Sequence, residues 1–182
     1  MIRIHIYYLN GIELIPLLIG FACLLIVIFL VLLFGGIYQR KKVFSILHKI
    51  SEEQGYSILA GKKTYFDYII TAEEKKIYLK VIYVPLNAAI TINSKDTWNL
   101  TYGGARGRPG KGYAKQRYLH ELIPFLRSSV EGIKLVIIYP TIDKVQQYLN
   151  ESEIIILNNK QSAHGVRFLT FLDLENSFKE LL

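Results

Sequence analysis

The sequence predicts an α/β protein in which an N-terminal transmembrane helix precedes a domain of three layers, with helices on either side of a mixed central sheet. Three observations lead there. An uncharged run from Leu14 to Tyr38 is closed by Arg40, Lys41 and Lys42. About 140 residues follow it, enough for one domain with its own core. Within them, segments of helical spacing are interspersed with short runs of Ile, Val, Leu and Tyr, the pattern of helices layered on a sheet.

The apolar run comes first. A helix of about 25 residues at roughly 1.5 Å per residue reaches about 37 Å, enough to cross a hydrocarbon core of about 30 Å with some tilt. Extended backbone at that depth would leave amides unpaired in lipid, so the run must be helical. Pro16 falls near its start, where a missing donor costs least. Arg3 is the only Lys or Arg before the run, whereas Arg40, Lys41, Lys42 and Lys49 follow it closely. The side richer in Lys and Arg stays in the cytoplasm. The expected layout is therefore a short extracytoplasmic N-terminus (1–13), a cell-membrane span (14–38), a basic juxtamembrane linker (39–43) and a cytoplasmic domain (44–182). A cleaved signal fits less well, because its apolar region is shorter, about 7 to 15 residues, and ends in a small-residue cleavage site. Here Gly35 and Gly36 run straight into Tyr38 and the basic cluster. The single cysteine, Cys23, lies inside the span, so no intrachain disulfide forms.

Beyond the span, Phe44, Leu47 and Ile50 with Gly55 as a stop predict a helix over 44–54. Tyr56–Ala60, Tyr65–Thr71 and Lys76–Val84 read as strands. The short charged link 72–75 predicts a hairpin between the second and third. Ala88–Ile92 reads as a further short strand after Pro85. Thr101–Gly112 is glycine-rich and basic, hence a loop. Tyr118, Leu122 and Phe125 predict a helix over 114–127, with Pro124 kinking it or ending it early. Lys134–Tyr139 is an apolar run suited to a buried central strand, ended by Pro140. A helix over 143–150, a strand over 153–157 and a closing helix over 172–182 complete the order.

In this layout the chain resembles the restriction-endonuclease-like, or PD-(D/E)xK, superfamily, and within it the nuclease-related (NERD) domains, some of which are membrane-attached. The resemblance covers roughly residues 44–140. It rests on Asp67 in Tyr-Phe-Asp-Tyr-Ile-Ile, Lys80 in Tyr-Leu-Lys-Val, Trp98, and Gln116 before Tyr118-Leu119-His120-Glu121-Leu122. It implies a core of a helix, three strands, a helix and a strand. It also implies a catalytic set of Asp67, Lys80 and a helix-borne Gln116, with Asp67 as a ligand to Mg²⁺, the cofactor of an active enzyme, which lowers a water's pKa and offsets charge on the phosphate. Tyr78 stands where the family has an acid two residues before the Lys. One carboxylate is a thin shell for Mg²⁺, so either the acid has migrated, with Glu52, Glu53 and Glu121 as candidates, or the site is inactive. Asp67 and Lys80 read equally as a structural ion pair on adjacent strands.

The chain carries 22 Lys and Arg against 15 Asp and Glu, a net charge of +7, nearly all of it after the span. A basic domain at a membrane suits nucleic acid or an anionic leaflet. The loop 103–112 fails the P-loop pattern, since Ala105 takes the first glycine's place and Gly112 replaces the Ser or Thr. Arg106, Arg108, Lys111, Lys115 and Arg117 are nonetheless able to hold phosphates. The Tyr and Phe residues of the first strands read as a packed sheet face rather than a stacking surface, and Trp98 as a core plug. The His residues lack metal-ligand spacing, and the Ser residues lack a nucleophile elbow.

Three functions follow. The missing metal ligand favours a membrane-anchored, degenerate nuclease-like domain that binds nucleic acid or a protein partner. The alternatives are an active Mg²⁺-dependent nuclease with a migrated acid, and an accessory subunit of a membrane protein complex.

Overall fold

The computed structural model describes residues 2–73, 75–103, 114–150, 152–159 and 161–178. The chain divides into two compact units, Met1–Ser45 and Ile46–Leu182.

A single helix, α1 (Ile2–Gln54), includes Pro16 and runs without a break through residues 39–43, which the sequence alone assigns to a linker. Nothing in Arg40-Lys41-Lys42-Val43 stops a helix, since straight-chain basic residues are good helix formers. The stop comes at Gly55, whose φ of +71° suits the left-handed turn that ends a helix. The part of α1 from Pro16 onward is long and apolar enough to cross a membrane. Leu17, Phe21 and Phe29 on it are each more than half exposed.

The second unit is mixed α/β with two mixed sheets. The first sheet holds β1 (Ser57–Ala60), β2 (Tyr68–Ala72), β3 (Lys75–Tyr83), β7 (Ile133–Tyr139), β11 (Val166–Thr170) and β10 (Ser162–Ala163), in that spatial order. β1, β2 and β3 form an antiparallel meander, and β7 lies parallel to both β3 and β11. The hairpin expected between the second and third strands is present. β7 occupies the middle of the sheet with Leu135, Val136, Ile137 and Ile138 all buried, as an apolar run flanked by parallel partners requires.

The second sheet holds β6 (Lys115–Tyr118), β5 (Thr97–Tyr102), β4 (Ala89–Ser94), β8 (Lys144–Tyr148) and β9 (Ile154–Leu157). Two expected helices are therefore strands. Over 114–127, Lys115–Tyr118 pairs with β5, and helical structure is confined to a 3-10 turn, His120–Leu122, and a short α2 (Ile123–Arg127). Pro124 sits in the first turn of α2, where no backbone donor is missed. Over 143–150, β8 docks parallel to β4, and Gln146 Nε2 donates to Thr91 Oγ1 at 3.0 Å. Pairing between distant segments overrides local helical spacing in both cases.

The expected three layers are corrected accordingly. Alternation along β3 and β7 sends Ile82, Val136 and Ile138 to one face of the first sheet, where they share a core with Ile90, Ile92, Trp98, Leu100 and Val145 of the second sheet and with Leu122 and Phe125. Leu79, Val81, Leu135 and Ile137 face the other way. Outside that inter-sheet core, Leu47 and Ile50 of α1 and Leu174 and Phe178, in and just after α3 (Leu174–Ser177), are also buried; α3 contacts β11, and Lys49 Nζ donates to Glu175 Oε1 at 2.8 Å. The first sheet thus lies between helix and sheet, not between two layers of helices. The closing helix expected over 172–182 is confined to α3 among the described residues; its last four positions lie outside them. β10 and β11 were not expected. Their turn, His164-Gly165, has φ of +51° and +78°, the geometry of a two-residue hairpin.

Candidate functional site

Asp67 and Lys80 meet. β3 extends beyond the first residue of β2, so Val81 N–H, which points to the β2 side, has no strand partner there. Asp67, just before β2, fills the gap: its backbone N–H donates to Leu79 O at 2.7 Å, and its Oδ2 accepts from Val81 N–H at 2.9 Å. Lys80 shares the inter-sheet face with Tyr78 and Ile82 and stands opposite Val136. Its side chain is only 9% exposed, and burying an ammonium demands partners. Nζ donates to Lys63 O at 2.6 Å and lies 3.7 Å from Asp67 Oδ1.

The segment 61–67 folds over this pair. Lys62 O accepts from Tyr65 N–H and Phe66 N–H, and Phe66 packs edge-on against Tyr78 with ring centroids 5.2 Å apart. Gly61 is required for the close approach, because a Cβ there would overlap the Phe66 ring and carbonyl.

Both Asp67 oxygens are therefore engaged, one by a backbone amide and one by the ammonium. The three acids able to have migrated have neighbours of their own: Glu52 Oε2 lies 3.3 Å from His48 Nδ1, Glu53 pairs with Lys49 at 4.0 Å, and Glu121 pairs with Arg117 at 3.3 Å. Among the described residues no group of three or more His, Cys, Asp or Glu is placed to hold a metal ion. Chemically, the pair closes a strand end and pins a loop.

Gln116, expected on a helix, stands on β6 opposite Thr101, at the edge of the second sheet. Lys115 and Arg117 flank it, and all four residues of β6 are exposed. Arg106, Arg108 and Lys111 lie outside the described residues. The structure thus gathers the expected residues at two places, Asp67 with Lys80 on the first sheet and Lys115, Gln116 and Arg117 on the second.

Beside β6 is a feature that the sequence does not foretell, a hollow of about 240 Å³ lined by residues that include Asp96, Thr97, Trp98, Tyr118, His120 and Ile123. Tyr118 and His120 have ring centroids 5.8 Å apart. Asp96 Oδ2 accepts from Arg127 Nε at 2.8 Å. Two buried atoms of the lining residues, Asp96 Oδ1 and Trp98 Nε1, have no hydrogen-bond partner among the described residues, and such an atom costs about 1–3 kcal/mol. The alternation of Trp98, Leu100 and Tyr102 after Ser-Lys-Asp was the available signal for β5; the glycines just beyond drew Thr101 and Tyr102 into a loop.

At the C-terminal end of α2, Lys134 Nζ donates to Leu126 O at 2.9 Å and to Ser128 O. Burial, and then the charge of Lys95, lower its pKa from 10.5. The chain matches no family model, no curated protein and no solved structure.

Proposed function

We propose that the chain is a single-pass cell-membrane protein, N-terminus outside, whose cytoplasmic domain is nuclease-like but without nuclease chemistry and binds nucleic acid through a basic edge. The anchor is supported by the long apolar stretch of α1 and by the Lys and Arg that follow it. The kinship is supported by α1, the antiparallel meander β1–β2–β3 and β7 parallel to β3, with α2 just before β7 and β4, β5 and β6 inserted between β3 and α2, and by the meeting of Asp67 with Lys80.

One observation carries the non-catalytic reading: Asp67 Oδ2 is held by Val81 N–H of β3 and Oδ1 faces the Lys80 ammonium at 3.7 Å. A Mg²⁺ ion there would have to displace the ammonium, and the metal supplies most of the charge stabilisation in phosphodiester cleavage. Binding is assigned to β6, where Lys115 and Arg117 stand exposed directly after the basic segment 104–113.

The test uses the full chain in nanodiscs of zwitterionic lipid with labelled single-stranded oligonucleotides. Affinity falls steeply with salt, and the Lys115→Ala/Arg117→Ala double variant lowers the slope of log K against log salt by about 1.4, roughly 0.7 for each phosphate that is no longer neutralised. Cleavage with Mg²⁺ that disappears in Asp67→Ala would establish an active nuclease instead. Absence of both binding and cleavage would point to a subunit of a membrane protein complex.

A further inference from the structure

We propose that two copies of this chain pair edge to edge through β9, antiparallel about a two-fold axis, so that their second sheets run on as one. That sheet has two open edges, β6 and β9, and an open edge is a template for another strand. β6 is guarded by Lys115 and Arg117, like charges that repel a second copy. β9, Ile-Ile-Ile-Leu, carries no charge. Ile154 on it is 47% exposed and Ile156 68%. At the edges of the first sheet, β10 has two residues and β1 one large exposed apolar side chain, Leu59.

The register follows from the hydrogen bonds. Leu149 N–H donates to Glu153 O at 3.0 Å, one step beyond the pairing of Tyr148 with Ile154. Bonded pairs alternate in an antiparallel ladder. Glu153, Ile155 and Leu157 therefore turn their backbone groups to β8, while Ile154 and Ile156 turn theirs to the open edge. Setting Ile154 opposite the second copy's Ile156 satisfies the N–H and C=O of both residues in both copies. It also gathers four isoleucines on the outer face, beside the exposed Tyr148 that pairs with Ile154, and sets Ile155 against its own copy on the inner face.

Charge and area name the occupant. Glu151 and Glu153 precede the strand and Lys160 follows it in the sequence. Antiparallel pairing brings the acidic end of one copy to the basic end of the other, whereas parallel pairing sets like charges together. An interface of standard size buries about 800 Å² per partner over roughly 20–30 residues, so about eight residues of each copy bury about 250 Å², or about 500 Å² in all, below the roughly 1,000 Å² of a stable complex. The pairing is accordingly weak in free solution. It forms where both copies are held in one membrane, which raises their effective concentration; it rests on the anchor reading above for that confinement alone.

The experiment oxidises isolated membranes that hold the full chain in a Cys23→Ser background with copper phenanthroline. Ile155→Cys puts its thiol opposite its own copy in a non-bonded pair, with Cα atoms about 4.5 Å apart, inside the roughly 4.4–6.8 Å that a disulfide spans. Ile156→Cys, although more exposed, meets its own copy only diagonally, at about 7–8 Å. Ile155→Cys therefore cross-links about tenfold more than Ile156→Cys. Adding Ile156→Lys, a charge at an exposed edge position, abolishes the Ile155→Cys dimer and leaves Trp98 emission unchanged. Without any cysteine change, chains fused at the C-terminus to donor or acceptor fluorescent proteins show energy transfer in liposomes that is lost with Ile156→Lys. Equal cross-linking at both positions, dimers that survive Ile156→Lys, or no energy transfer in the wild type overturns the pairing. Membrane pelleting reads the anchor separately: a pelleted chain without dimers loses the pairing and keeps the anchor. A chain left in the supernatant loses the anchor, and the same cross-link there still decides the pairing.

Discussion

Asp67→Ala separates a structural pair from a catalytic one by a calculable amount. At 3.7 Å and an effective dielectric of about 20, the attraction between Asp67 Oδ1 and Lys80 Nζ is about 4 kcal/mol before desolvation. Breaking a buried pair by removing one partner costs about 3–5 kcal/mol; the Asp67 side chain is 26% exposed, which reduces that share. The substitution also orphans Val81 N–H, at about 1–3 kcal/mol. A net loss of about 3 kcal/mol follows, and at about 3 °C per kcal/mol for a unit of this size the midpoint falls by roughly 10 °C. Asp67→Asn keeps an acceptor for Val81 N–H and removes only the charge, so its loss is about half as large. Unfolding is followed through Trp98, which is 2% exposed within the Ile46–Leu182 unit and reports that unit alone. A midpoint within about 2 °C of wild type, or a folded Asp67→Ala protein that has lost a Mg²⁺-dependent cleavage the wild type possesses, would refute the structural assignment.

Three further outcomes are expected. Gly132 precedes β7 with φ +145°, and a Cβ there would strike the Lys76 carbonyl; Gly132→Ala destabilises by about 1–3 kcal/mol, read as a lower denaturant midpoint with unchanged m-value. Because the pKa of Lys134 is lowered in the fold, the unfolded chain binds more protons between that lowered value and 10.5. Stability of wild type relative to Lys134→Met therefore rises with pH across that window, is flat below it and is complete above it; parallel curves for the two proteins would remove the effect. Finally, the chain stays with the membrane pellet after alkaline carbonate extraction and keeps its full mass, whereas a cleaved signal sequence would leave a shorter, extractable product.

The readable part of the sequence was the part whose structure is local. Apolar residues crowd Leu14–Tyr38 closely enough to dictate a helix whatever the rest does. β2 and β3 are joined by a short turn and their side chains alternate, so strand type and the β2–β3 hairpin were legible, and with them the meeting of Asp67 and Lys80. β7 was legible because two flanking strands leave Leu135–Ile138 buried on both faces, with no polar residue among them.

What only the tertiary structure decided was contact between distant segments. Tyr118, Leu122 and Phe125 have helical spacing, yet Lys115–Tyr118 is a strand because β5 offers it a ladder; Val145, Tyr148 and Leu149 do likewise, yet β4 claims Lys144–Tyr148. Helical spacing is a statement about neighbours within a turn, while a strand's stability lies with a partner that the local sequence does not contain. For the same reason the hollow at Trp98, built where the β4–β5 turn meets the end of β6, was invisible until the second sheet was assembled.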